Sequence, residues 1–154
     1  MRKMAASDVD EVLAIEDTVQ AYPWTRGNFC DALDSGYLCY VDESDGRICS
    51  YAVLMAGVDE AELLNMAVAA EHQRKGMGSR MLMAVLQIAR DRGLRRILLE
   101  VRASNLAAIS LYRLVGFAKV SVRRNYYRNA SGSEDAIVMA CVFQTGSATE
   151  KAHG

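Results

Sequence analysis

Apolar residues along this chain alternate between helical and strand spacing. Val9, Val12, Leu13 and Val19, with Glu16 among them, fall largely on one helical face and predict a helix over 8–20 with Ser7 as N-cap, preceded by a short strand-like start. Tyr22-Pro23-Trp24 breaks it, since the residue before a proline is pushed out of the helical region. Thr25 then caps a short helix running through Leu33, and Gly36 ends that pattern. Segments 37–41 and 48–57 read as strands joined by Glu43-Ser44-Asp45-Gly46, a turn cluster of the kind that closes hairpins, and 62–68 reads as a third strand. Beyond the loop Gln73-Arg74-Lys75-Gly76-Met77-Gly78, the residues Met81, Leu82, Val85, Leu86 and Ala89 recur at helical spacing until Gly93. In the strand 95–101, Ile97, Leu98 and Leu99 are consecutive, as in a strand buried on both faces. Ser104-Asn105 opens a helix to about Val115, stopped by Gly116, and 117–122 and 136–143 are expected to be closing strands.

With 154 residues, 51% hydrophobic and 24% charged, the chain has the size of one domain and the composition of a soluble globular protein. The domain is expected over 1–143. The segment 144–154, Gln-Thr-Gly-Ser-Ala-Thr-Glu-Lys-Ala-His-Gly, has little to bury and is expected to be a disordered tail. No stretch approaches the roughly 20 apolar residues of a membrane span, and the charged start lacks an apolar leader core, so a cytoplasmic location is expected. Cys30, Cys39, Cys49 and Cys141 have no CxxC spacing and sit among apolar residues, which points to buried reduced thiols. The formal net charge of -1 conceals an asymmetry. Residues 1–62 hold four Lys/Arg against thirteen Asp/Glu, and residues 63–154 hold fourteen against six. Solvated surfaces explain this, and so does a polyanionic ligand on the second part with a cationic substrate facing the first. No basic run indicates direct nucleic acid binding, and the oligomeric state is left open.

The chemistry centres on the glycine loop. Between a strand and a helix, such a loop lets backbone N–H groups approach an anion while the helix N-terminus adds about half a positive charge. Arg74 and Lys75 supplement those amides, and Gly76 and Gly78 allow close approach and left-handed backbone angles. A plain turn with solvated charges has the same local sequence. The loop is neither GxxxxGK[ST] nor GxGxxG, which argues against a P-loop or a Rossmann site. Glu100 interrupts the apolar run Leu98-Leu99-Glu100-Val101, where half-burial would raise its pKa toward that of a general base, unless it is an edge charge reaching solvent. Tyr112 fits core packing equally well, and Asn105 fits a helix cap. His72 and His153 have no partners at catalytic or zinc-ligand spacing, so no metal is expected.

Gln73-Arg74-Lys75-Gly76-Met77-Gly78 resembles the Q/R-x-x-G-x-G/A acyl-CoA signature of the GNAT superfamily. Leu63-Leu64-Asn65-Met66-Ala67-Val68, Leu99-Glu100-Val101-Arg102-Ala103-Ser104-Asn105, Leu111-Tyr112, Gly116-Phe117 and Arg123-Arg124-Asn125-Tyr126-Tyr127 look like the bacterial ribosomal-protein-alanine N-acetyltransferases within it. Tyr22-Pro23-Trp24 and Glu134-Asp135-Ala136 extend the likeness over about 1–143. The resemblance implies an α/β (mixed α+β) fold: a mixed, mostly antiparallel sheet of about seven strands flanked by helices and splayed between its fourth and fifth strands, where acetyl-CoA enters. By the same analogy Met66, Ala67 and Val68 bind the pantetheine arm and thioester through their backbone. Arg74, Lys75, Gly76, Met77, Gly78 and Ser79 hold the pyrophosphate, Asn105 contacts the cofactor's arm, Glu100 is the base and Tyr112 the acid.

The implied activity is acetyl transfer from acetyl-CoA to the N-terminal α-amine of a protein, the N-terminal alanine of a basic small-subunit ribosomal protein, by direct attack in a ternary complex. None of the four cysteines lies in the segments that would flank the thioester, which disfavours an acetyl-cysteine intermediate. The rivals are an acetyltransferase for a small cationic amine or a lysine side chain, and a non-catalytic acyl-CoA-binding module.

Overall fold

The structure, a computed structural model, describes residues 1–144. Contacts divide the described residues into two units, Met1–Ala56 with Leu63–Val85, and Gly57–Glu62 with the described residues from Leu86 onward.

In the first unit β1 (Arg2–Lys3), β2 (Leu38–Ser44) and β3 (Arg47–Ala56) pair antiparallel in chain order, and the part of β4 (Glu60–Val68) from Leu63 onward belongs to the same unit. The β2–β3 turn places Asp45 and Gly46 at φ 54° and 75°, the left-handed pair that matches strand twist in a two-residue hairpin. Helices α1 (Val9–Val19) and α2 (Arg26–Asp34) supply Val9, Val12, Phe29 and Ala32 to a core shared with Val41, Tyr51 and Val53. Phe29 lies between Trp24 (5.1 Å) and Tyr51 (5.9 Å), with tilted and edge-on rings.

Thr25 caps α2 as expected, accepting the Asn28 N–H at 3.2 Å while Asn28 Oδ1 accepts the Thr25 N–H at 2.9 Å. Ser7 does not cap α1. It lies in a 3-10 turn (Ala6–Asp8), and the Asp8 carboxylate instead accepts the Ala5 N–H at 2.7 Å. Arg2 grips both oxygens of that carboxylate (2.8 and 2.9 Å) and holds it well below the usual carboxylate range. Asp8 stands at the N-cap position of α1 without a side-chain cap bond, its carboxylate held by Ala5 and Arg2 instead.

In the second unit β5 (Arg96–Arg102), α4 (Leu106–Val115), β6 (Ala118–Asn129) and β7 (Gly132–Val142) follow the C-terminal part of α3 (Met77–Asp91). β7 lies between β5 and β6 and is antiparallel to both, with Glu100 opposite Val138 and Arg102 opposite Ala136, which also faces Arg123. The hairpin of β6 and β7 is much longer than the expected 117–122 and 136–143. Its outer half is polar and mostly exposed, so apolar periodicity gives no signal there, and stacked arginine and tyrosine side chains line it instead. The register slips between Arg123 and Tyr127, where Asn125 has φ 54° and its N–H donates to Asp135 Oδ1 at 2.9 Å. Gly116 ends α4 at φ 117°.

Cys39, Cys49 and Cys141 are buried free thiols, and Cys30 is partly buried. The expected tail lies, but for Gln144, outside the described residues.

Candidate functional site

Within the first unit, β4 leads through a short 3-10 turn to the glycine loop and α3. Met66 and Val68 are half-buried and point to the face opposite buried Ala67, following the two-residue period of a strand. Side-chain amides hold two carbonyls of this stretch: Gln20 Nε2 donates to Met66 O (3.2 Å) and Gln73 Nε2 to Val68 O (3.0 Å). Gln20 also donates to Asn65 Oδ1 (3.2 Å), and Asn65 Nδ2 donates to Glu16 Oε2 (2.9 Å). Glu16 is 1% exposed and further accepts the Tyr51 hydroxyl (2.7 Å) and the Trp24 N–H (2.9 Å). The sequence places Glu16 on the apolar helical face, which signals its burial, but neither Tyr51 nor Asn65 betrays the network.

The loop bends through two left-handed residues, Arg74 at φ 64° and Gly76 at φ 78°. This departs from the expectation that Gly76 and Gly78 would share that role, because α3 starts at Met77 and takes Gly78 and Ser79 into its first turn. That turn contains no acidic side chain, and Arg74, Lys75 and Gly76 are exposed. A left-handed bend followed by free helix N–H groups is an anion-binding shape with positive charge at its rim. Nothing lies within 4 Å of where a Gly76 Cβ would stand, so backbone angle rather than crowding selects glycine there. One turn on, Arg80 pairs with buried Asp42 at 3.2 Å. A cleft of about 280 Å³ in the same unit is lined by Trp24, Asn28, Asp31, Tyr37 and Leu64 among others, and Leu64 shares the β4 face with Met66.

The second unit holds Glu100, Asn105 and Tyr112. Glu100 projects from the half-buried face of β5, and its Oε1 accepts a 2.6 Å hydrogen bond from Arg123 Nη1 of β6. The apolar setting expected around it is thus not the whole surrounding: register across β7 brings a guanidinium to the carboxylate, a pairing that sequence distance hides. Arg123 lies 4.0 Å over the Tyr126 ring, and Arg102 lies 4.3 Å over the Tyr127 ring while pairing with Glu134 at 3.1 Å. Burial, followed by the charge of Glu100, pushes the Tyr127 hydroxyl up to about 12. Tyr112 is half-buried on α4, 5.7 Å from Phe117, and burial followed by Tyr127 pushes its hydroxyl up to about 12 as well. A tyrosine so placed is protonated at neutral pH, and the upward shift makes it a weaker acid than an ordinary tyrosine. Asn105 caps α4, its Oδ1 accepting the Ala108 N–H at 3.2 Å. Among the described residues no group of three or more His, Cys, Asp or Glu could hold a metal ion, and no helix is long and apolar enough to cross a membrane.

Comparison with known proteins places these features in a family. Residues 7–117 match the model of the acetyltransferase (GNAT) family. The chain is 37% identical over 137 residues to the [Ribosomal protein bS18]-alanine N-acetyltransferase of Escherichia coli strain K12, covering 89% of this chain and 93% of that protein. The crystal structure of the ribosomal-protein-S18-alanine N-acetyltransferase from Escherichia coli matches with a TM-score of 0.88 at 35% identity, over 94% of this chain and 93% of the other. At 20% identity the fold alone is shared with yncA from Salmonella typhimurium, solved with its cofactor acetyl-CoA, at a TM-score of 0.79 over 94% and 93% of the two chains. The expected fold class is therefore the observed one, and this chain belongs to the acetyltransferase (GNAT) family.

Proposed function

We propose that this protein transfers the acetyl group of acetyl-CoA to the N-terminal α-amine of a protein, an N-terminal alanine on a basic small-subunit ribosomal protein. The observation that carries the reading is the 37% identity, over nearly the whole of both chains, to an enzyme named for that reaction.

In this reading the amides of the glycine loop and the first turn of α3, from Arg74 to Ser79, hold the pyrophosphate, with Arg74 and Lys75 adding charge. Met66, Ala67 and Val68 bind the pantetheine arm and thioester through backbone groups, and Asn105 contacts the arm. The acceptor binds as an ammonium with pKa of about 8 and must lose a proton before its nitrogen can attack the thioester carbonyl. Glu100 takes that proton, directly or through water. A backbone N–H near Met66 to Val68 stabilises the oxyanion. Tyr112, still protonated at neutral pH, supplies a proton to the departing thiolate. Direct attack is favoured over an acetyl-cysteine because burial pushes the Cys39, Cys49 and Cys141 thiols up, away from the reactive thiolate. No metal enters these steps. The acidic first part of the chain, with Asp31 beside Trp24 and Tyr37 in the cleft, suits a basic peptide. The location that goes with such an acceptor is the cytoplasm, with no membrane and no direct nucleic acid contact.

The test is thiol release from acetyl-CoA with a peptide bearing a free N-terminal alanine followed by basic residues, beside an N-blocked copy and a lysine-only peptide. Release with the free N-terminus alone supports the reading. Release with the lysine peptide or with small amines instead overturns the acceptor assignment, and binding of acetyl-CoA without any turnover overturns the enzyme.

A further inference from the structure

Glu62 stands on β4 beside the group formed by Glu100 and Arg123, and neither the helical nor the apolar pattern singles it out. Its placement follows from the register of its own unit. The Arg95 N–H donates to Asp59 O (2.6 Å), and the Arg96 guanidinium donates to Glu60 Oε1 (3.1 Å). Glu60 and Arg96 therefore share a face, and the two-residue period puts Glu62 and Glu100 on that face too. Both strands alternate buried and half-buried residues, and Glu60, Glu62, Arg96 and Glu100 are all in the half-buried set. Arg123 interacts with both carboxylates, its hydrogen bond going to Glu100. Glu62 has no hydrogen-bond partner among the described residues.

Two carboxylates and one guanidinium leave one negative charge uncompensated on a half-buried face. A cation is what completes such a set. One oxygen of Glu100 is taken by Arg123, whereas the Glu62 carboxylate is free to receive a hydrogen-bond donor.

We propose that Glu62 is a second carboxylate of the acceptor site, binding the α-ammonium of the incoming N-terminus together with Glu100 and sharing with it the proton that the ammonium gives up. The inference rests on the acetyl-transfer reading above. The step balances: the N–H bond of the ammonium breaks, its electron pair stays on nitrogen, and the proton forms one O–H bond on the Glu100 and Glu62 pair, from which solvent removes it. The neutral amine then attacks the thioester carbonyl, the surplus proton on the nitrogen of the tetrahedral adduct passes to the same pair, and the C–S bond breaks with its electron pair leaving on the thiolate that Tyr112 protonates. The groups facing Glu62 are Glu100 on β5, Arg123 on β6 and Glu60 on its own strand, and with burial acting first and Glu100 second they push its carboxyl up. Arg123 works the other way. The acid limb of catalysis should therefore answer to all three residues.

The experiment measures the pH dependence of kcat/KM for a peptide with a free N-terminal alanine in the wild type, Glu62→Gln, Glu62→Asp and Arg123→Gln, with acetyl-CoA affinity by calorimetry as a control. Because a positioned acid or base contributes about 10²- to 10⁴-fold and this role is shared with Glu100, Glu62→Gln should lower kcat/KM about 10- to 100-fold. It should also move the acid limb to lower pH, while Glu62→Asp restores much of the rate. Arg123→Gln, which removes the cation that favours ionised Glu62, should move the limb to higher pH. Acetyl-CoA affinity should stay within about twofold. Coincident limbs in wild type and Glu62→Gln, or an equal loss in Glu62→Gln and Glu62→Asp, would overturn the proposal while leaving acetyl transfer intact. Absence of turnover in the wild type would instead remove the reading on which it rests.

Discussion

Glu100 and Tyr112 differ in how their surroundings hold them, and that difference assigns their tests. Arg123 occupies one oxygen of Glu100, so the carboxylate is fixed in direction before any substrate arrives. Glu100→Gln keeps that shape but cannot take a proton; turnover should fall about 10²-fold or more while calorimetry finds acetyl-CoA affinity nearly unchanged. An unaltered pH-rate profile would return Glu100 to a structural role. Tyr112 is held neutral by burial, with its hydroxyl at about 12 against an ordinary 10. A raised value means the native state keeps a proton that the unfolded chain gives up. The corresponding stability is complete below pH 10 and is lost as pH rises to about 12. Tyr127, pushed up to about 12 as well, adds to the same window. Urea titrations across pH 9–12 should show Tyr112→Phe with a shallower alkaline decline than wild type. The same variant should slow thiol departure, and full activity in it would leave core packing as the whole of Tyr112's role.

At the level of elements, the glycine loop is where conformation and chemistry coincide. Gly76 holds a left-handed angle in open space. Gly76→Ala should therefore cost about 1 kcal/mol of backbone strain without any clash. If the amides of the bend hold the pyrophosphate, acetyl-CoA affinity should fall together with the urea midpoint, whereas a fall in the midpoint alone would leave the loop as a plain turn. The place of this loop and the left-handed angle at Gly76 were readable in the sequence, whereas the second left-handed residue is Arg74 and not Gly78. Also readable were the Thr25 cap, the Asp45-Gly46 hairpin and the helix on which Met81, Leu82, Val85, Leu86 and Ala89 lie buried, each of which rests on local chemistry. The start of α1 was not, since Ser7 lies in a 3-10 turn and Asp8 stands at the N-cap position with no side-chain cap bond to mark it. Nor was the length of β6 and β7, whose outer half is stabilised by cation and ring stacking on an exposed face. In the candidate site, Glu100 and Tyr112 were legible through resemblance, but the Arg123 contact to Glu100 spans 23 residues and depends on the β5–β7–β6 register.

Across the whole chain the charge asymmetry becomes a kinetic property. Thirteen acidic residues against four basic ones in residues 1–62 create a field suited to attracting a basic peptide. Screening acts over about 10 Å at 0.1 M salt, so KM for the basic acceptor should rise several-fold between low and high salt while kcat stays constant. Steady-state measurements over that range would show it, and a flat KM would mean that charge plays no part in acceptor capture. The Glu16 network has a different reach. Its carboxylate gathers the Tyr51 hydroxyl, the Asn65 amide and the Trp24 N–H, uniting α1, the segment between α1 and α2, β3 and β4 at one buried point. Glutamine there offers one acceptor oxygen, and at best it leaves the Tyr51 proton without a partner; alanine strands all three donors, at about 1–3 kcal/mol each. A single exchange of Glu16 therefore leaves buried donors unmet, and the path of least cost through sequence space changes Tyr51 and Asn65 along with it.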